Sequence, residues 1–338
     1  MERRNFLKFS MAGLAQAAAA RAVLGTSTLA VLAPSAQAAT IDRTFYITEG
    51  FITQITGEDI YFMAYSNSPS ELNVPGESFV VQEGDTVNIT IVNTLQTPHS
   101  FVIDGQVDSG IIEGGTTKEL SFTATGSGSF MYYDKLNAPY NRLCGLHGGM
   151  GVMPGTSTNE LYPGSPTFVV QKFWIFNDID PVWNGMVQNR LTPNTPFIPR
   201  YFTLNGLGGR PPGAPGSHDP NLDAISDPRS ALHGHIGDRT LIRVMNAGMA
   251  QQAVHTHANH MEWLTSNGQI RPDIWKKDII PLDANRGQID VIFPFETPQD
   301  AWPPVSTGIY PMHLHTEMTQ TAGGGFYQFG SMTDIYFE

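Results

Sequence analysis

The 338-residue chain has one cysteine, Cys144, so an intramolecular disulfide and a metal site made only of thiolates are both excluded. Charge is scarce, at 15% of residues, and lopsided, with 19 basic against 31 acidic residues and a net charge of −12. Such a surface works against nucleic acid and anionic membranes as partners. Beyond about residue 32, no stretch is long and apolar enough to span a bilayer. No segment carries the sustained 3.6-residue periodicity of a long amphipathic helix. What is abundant is Gly (34), Pro (24) and His (10). The first two favour many strands joined by turns, and the length allows two or three domains. The histidines are the surplus to explain.

The first segment reads as an address rather than as fold. Arg3-Arg4-Asn5-Phe6-Leu7-Lys8 resembles the twin-arginine export signal, an Ala-rich apolar stretch runs from Met11 to about Leu32, and Ala36-Gln37-Ala38 matches a small-residue cleavage site. Residues 1–38 are therefore expected to be removed, leaving no membrane anchor. Their loss takes basic residues from 19 to 15 and acidic ones from 31 to 30, so the net charge moves from −12 to −15. The resemblance implies a periplasmic or secreted protein exported already folded, often around a cofactor.

An internal repeat sets the architecture. Gly84-Asp85 followed by Thr86–Asn93 and Gly237-Asp238 followed by Arg239–Asn246 share the pattern G-D-x-x-x-I-x-[IV]-x-N at an offset of 153 residues. Each is a turn followed by an alternating β-branched strand. A second pair, Gly128–Lys135 and Gly308–His315, reads as a glycine turn followed by an aromatic-bearing strand. The expectation is an all-β chain with two homologous domains at 39–160 and 166–338, divided by the Pro/Gly/Ser-rich stretch Met153–Pro166, with Leu204–Pro228 a surface loop of the second.

Two repeated β-domains carrying these motifs, with His-x-His pairs and G-x-[FY]-x-x-H-x-H, resemble the cupredoxin domains of multicopper oxidases and copper nitrite reductases. Asn285–Ile292 is also similar to that family's P-G-E-R-x-D-V-L segment. The resemblance implies two tandem Greek-key β-sandwiches and copper. It also sorts the positions. His99 lies six residues after Asn93, and Gln252 six after Asn246, so both stand where the family places a blue-copper histidine. Val102 and Asp104 in the first domain match His255 and His257 in the second. Likewise Tyr133-Asp134-Lys135 matches His313-Leu314-His315, where the family has His-Cys-His.

His255, His257, His313 and His315 are the strongest chemical signal. Residues i and i+2 of a strand face one side, so each pair presents two imidazoles together, and imidazole suits copper, zinc, iron and nickel. His260 lies near the first pair, as a fifth ligand or a supporting residue. Four of the family's eight cluster histidines are replaced by Val102, Asp104, Tyr133 and Lys135, so a standard trinuclear cluster is not expected. A blue site wants two His, one Cys thiolate and a weak axial Met, and the first domain offers His99, Cys144, His147 and Met150 or Met153. However, Cys144 lies ten residues past the family's Cys position, and Gly145–Pro154 resembles a strand of the family that carries no copper. Cys144 is therefore either a thiolate ligand or a small core residue, and in the second case His99 and His147 either hold a metal without it or hold none.

The function expected is a copper-dependent oxidoreductase passing electrons to the His-ligated copper, which reduces O2 or a small oxyanion such as nitrite. Asp104 and Glu317 are candidates for proton delivery. The partners implied are an electron donor, small molecule or redox protein, and by analogy two further copies in a homotrimer. The alternatives are a periplasmic copper-binding or electron-transfer protein without turnover, and a structural cupredoxin with vestigial sites.

Overall fold

The computed structural model describes residues 38–208, 227–297 and 307–338. The export segment and most of the Leu204–Pro228 loop lie outside the described residues. In the first half, one sheet runs in the order Asp59–Ser66, Thr40–Thr53, Thr86–Asn93, Thr117–Thr123. A second runs Phe79–Gln82, His147–Met153, Gly128–Tyr133, Val102–Ile103, Val107–Asp108. The second half repeats both. Tyr201–Leu204, Val170–Ile179, Arg239–Asn246 and Gln288–Pro294 reproduce the first order within a sheet of eight strands. Leu232–Gly234, Met332–Phe337, Gly308–Leu314 and Gln252–Thr256 reproduce the second. The strand directions agree as well, with Thr40–Thr53 parallel to Thr86–Asn93 and Val170–Ile179 parallel to Arg239–Asn246. These are two tandem cupredoxin-like sandwiches. Among the described residues the longest helix is Pro181–Gln188, capped by the Asp180 carboxylate, and no helix is long and apolar enough to cross a membrane.

The repeat extends to side chains. At each strand end, the buried Asn ties down the turn that follows. Asn93 Nδ2 donates to the carbonyls of Thr97, Ile112 and Glu113, and its Oδ1 accepts from Leu95 N. Asn246 Nδ2 donates to Ala250 and Asp283, and its Oδ1 accepts from Gly248 N. An unpaired buried carbonyl costs roughly 1–3 kcal/mol, which is why an amide recurs at both places. The preceding Asp85 and Asp238 each accept from the backbone N–H three residues earlier, Gln82 and His235, across glycines at φ +92° and +101°.

The two strands of the repeat differ in burial. Thr86–Asn93 alternates, so only one face meets the core. Arg239–Asn246 is buried on both faces, because the first half covers its outer side. Met131 packs there with Ile175, Met245 and Ala247, and Met153 with Leu241, Leu264 and Ile292. Close approach depends on missing side chains. A Cβ on Gly149 would meet Phe173 at 2.7 Å, and one on Gly151 would meet the Arg243 guanidinium at 2.7 Å.

Candidate metal centre

Strands Gln252–Thr256 and Gly308–Leu314 are antiparallel neighbours, with His255 opposite His313 and Val254 opposite Leu314. Val254, Met312 and Leu314 point into the core, so the alternation puts His255, His257 and His313 on the outer face, half-buried, with His315 exposed beside them. The ligand atoms of His255, His257 and His313 all lie within 4.8 Å of one another. The rings of His255 and His315 are 5.3 Å apart. Among the described residues this is the single group of three or more His, Cys or acidic side chains placed to hold a metal ion.

Backbone carbonyls prepare two of these rings. His255 Nδ1 donates to the Asp278 carbonyl and His313 Nδ1 to the Leu314 carbonyl, each at 3.1 Å. A carbonyl only accepts, so the proton sits on Nδ1 and Nε2 keeps its lone pair. The Nε2 atoms of His257 and His313 face each other at 3.3 Å. Burial holds the His313 imidazole below its ordinary value, with the Leu314 carbonyl opposing, and a neutral ring is the ligating form. The set therefore fits a borderline ion with nitrogen preference. His260 is exposed and outside the three-histidine group.

The same edge of the first half is built from other groups. Val102 stands opposite Tyr133, as His255 stands opposite His313. Tyr133 donates to Asp104 at 3.0 Å, Asp104 is ion-paired with Arg286, and the Arg286 guanidinium lies 4.5 Å from the Tyr133 ring centroid. Lys135 is ion-paired with Asp108. Asp104, expected from the sequence as a candidate for proton delivery, is thus committed to an arginine. Glu317 remains exposed on the short 3-10 turn after His315, close enough for its charge to act on His313.

The blue-site arrangement of His99, Cys144, His147 and Met150 is not formed. Cys144 packs in the first core with its Sγ against the Tyr61 carbonyl at 3.8 Å, and burial pushes its thiol far above the ordinary value. Met150 lies in the same core. His147 Nδ1 donates to the Arg142 carbonyl at 2.8 Å, and burial pulls its pKa down to about 4. His99 instead meets Asp134, the residue at the family's Cys position. The Asp134 carboxylate, with no solvent exposure, accepts five hydrogen bonds, from His99 Nδ1, Ser100 N and Oγ, Leu136 N and Asn141 Nδ2. Both ring nitrogens of His99 are engaged, since Nε2 lies 2.9 Å from Thr97 Oγ1. In the second half, Gln252 bonds Asp178 at 3.2 Å and Leu314 is core. Sequence reasoning missed Asp134, Asn141 and Thr97. The one available signal was the carboxylate standing where a thiolate was expected.

No known family profile matches the chain. A copper-containing nitrite reductase from Alcaligenes xylosoxydans xylosoxydans is 23% identical over 222 residues, which cover 59% of this chain and 62% of that protein. The match thus spans less than two thirds of the relative's length. A blue copper oxidase structure from Nitrosomonas europaea superposes with a TM-score of 0.69 at 19% identity, covering 88% of this chain and 85% of that one. A copper nitrite reductase from the same organism gives 0.63 at 19% identity, covering 88% and 94%. On these likenesses, and on the repeat of both sheets, the chain has the tandem cupredoxin fold seen in multicopper oxidases and copper nitrite reductases.

Proposed function

We propose that this chain is a copper-dependent oxidoreductase whose reaction takes place at the outer edge formed by His255, His257 and His313, with His315 beside them. The observation that carries the reading is the convergence of three imidazoles, two of them with Nδ1 tied to backbone carbonyls so that their Nε2 atoms keep a lone pair. Among common divalent ions copper binds such nitrogen sets most tightly. A copper ion there supplies one-electron exchange and an open position for O2 or a small oxyanion such as nitrite.

The chain's own residues do the rest. The carbonyls of Asp278 and Leu314 orient the rings, and the half-exposed setting leaves the outer side open. Glu317 is a carboxylate available to pass protons, as is Asp278, 3.9 Å from His255 Nδ1, whereas Asp104 is bound to Arg286. Neither half brings a thiolate to a His pair, so the reductant acts at the His edge directly rather than through a blue copper in this chain. Export by the twin-arginine route and assembly into a homotrimer belong to the same reading and rest on the resemblance.

Metal analysis of the purified protein with an electron paramagnetic resonance spectrum tests it. The expected result is about one copper or more per chain with a normal rather than blue signal. Less than that removes the reading. O2 or nitrite consumption that persists in a His313→Ala, His315→Ala double variant overturns the site, and copper bound without turnover makes the chain a carrier.

A further inference from the structure

We propose that Thr97, His99 and Asp134 form a second, metal-free site that transfers the acyl group of small carboxylic esters. The three groups are in line, with Thr97 Oγ1 2.9 Å from His99 Nε2 and His99 Nδ1 2.8 Å from Asp134 Oδ2. In the neutral ring the carboxylate accepts from Nδ1, which leaves Nε2 as the acceptor for the Thr97 hydroxyl. This is the order nucleophile, base, orienting acid by which a hydroxyl is activated.

The corner is rigid where a base must be held. The His99 backbone exchanges two hydrogen bonds with Ile112, at 3.0 and 2.8 Å. Asp134 is fixed by its other four donors, from Ser100, Leu136 and Asn141. It is open where a substrate must arrive. Asp134 and His99 are buried, at 0% and 2% exposure, whereas Thr97 is half-exposed. Thr97 and His99 line a cavity of about 250 Å3 with Tyr61, Tyr140, Leu191 and Arg190. Its size suits a small ester, and its mixed lining, with Leu191 beside Arg190 and the Tyr61-bonded Glu49, suits one that is short and polar rather than a long apolar chain.

In the reaction, Thr97 Oγ1 attacks the ester carbonyl carbon while its proton passes to His99 Nε2. The C–O bond to the alcohol breaks as His99 returns that proton to the leaving oxygen. Water, deprotonated by His99, then attacks the threonyl ester, and Thr97 recovers its proton as the carboxylic acid leaves. No electron is transferred and no metal takes part.

A fluorophosphonate probe, which phosphonylates an activated hydroxyl with loss of fluoride, tests the proposal on the intact protein. Mass spectrometry of peptides is expected to place the adduct on Thr97. Labelling should fall by about 100-fold or more in His99→Gln, vanish in Thr97→Val, and be unchanged by chelator or by the His313→Ala, His315→Ala pair. Thr97→Val removes one half-exposed hydroxyl and keeps the shape, so a folding failure of the His99 variant does not decide the outcome. No adduct on the folded wild type overturns the proposal, as does labelling that survives in Thr97→Val. Labelling that disappears with chelator also overturns it, and assigns the chemistry to the His edge instead.

Discussion

The two halves of this molecule share strand order, strand direction, a Gly-Asp turn and an Asn that closes the loop after the repeated strand, yet they keep histidines at opposite places in the sandwich. The second half keeps the surface edge, with His255 opposite His313. In the first half that edge is Val102 opposite Tyr133, sealed by Asp104 and Arg286. The first half keeps one histidine of the inner corner, His99, but its partner is a carboxylate. In the second half the corner is Gln252 and Leu314. A cupredoxin sandwich therefore accepts other residues at its ligand positions. Its positions can be refilled one by one, by an ion pair at the surface or by a saturated carboxylate inside.

The largest expected effect breaks this comparison at the edge. Replacing His313 and His315 by alanine leaves only His255 and His257 of the four histidines at that edge. Copper affinity should fall by about 100-fold or more, read by titration with a competing chelator, while the thermal midpoint of the metal-free protein stays close to wild type, because both side chains lie outside the core. Unchanged affinity would mean that the two halves do not differ in metal binding where the geometry says they do.

The seam between the halves comes next. Arg243 is fully buried, donates to Gly128 O, Ser129 Oγ, Gln171 Oε1 and Met153 Sδ, and forms no ion pair among the described residues. Ser129 passes the interaction to Asp290. Desolvation lowers the Arg243 pKa to about 10. Arg243→Leu leaves several buried acceptors unpaired and should cost about 4 kcal/mol. In urea, the midpoint should drop with an unchanged slope. A lower slope instead would show the halves unfolding separately.

Much of this was legible in the sequence. The 153-residue offset paired Val102 with His255, the second motif pair (Gly128–Lys135 with Gly308–His315) paired Tyr133 with His313, and the strand registers place those residues directly across from one another in both halves. That works because register is fixed by local alternation and by a turn, both written in adjacent residues. What was not legible is how the inner corner of the first half is filled. Cys144-Gly145-Leu146-His147 has the spacing of a ligand pair, but spacing does not say which way a side chain points. Gly145 takes φ +116° and turns the chain there. The Asp134 network draws on Ser100, 34 residues away, and no short motif encodes such a contact.

Acid stability sharpens the contrast between the buried histidine of the first half and the open ones of the second. Burial keeps His147 neutral in the folded chain down to about pH 4, whereas an unfolded imidazole takes up a proton near 6.5. Between these values the unfolded state binds more protons, so stability falls as the pH drops from about 6.5 to about 4, by at most about 3 kcal/mol. His147→Gln should flatten that slope in urea titrations at stepped pH, and an unchanged slope would assign the loss to other groups.

The smallest effect concerns Cys144, and it separates two thiols that spacing alone cannot. A ligand thiol has a depressed pKa and a path to solvent, so stripping the metal would let it react quickly with a disulfide reagent. A core thiol whose pKa is driven up by burial reacts only when the protein opens. Cys144, at 1% exposure with its Sγ on the Tyr61 carbonyl, should label at the rate of global unfolding, equally with and without chelator. Cys144→Ala should cost only about 1–2 kcal/mol and leave bound copper unchanged. Labelling that accelerates on chelation would restore the thiolate to the first half. The halves would then divide the work of electron entry and reduction, instead of leaving both to the histidine edge.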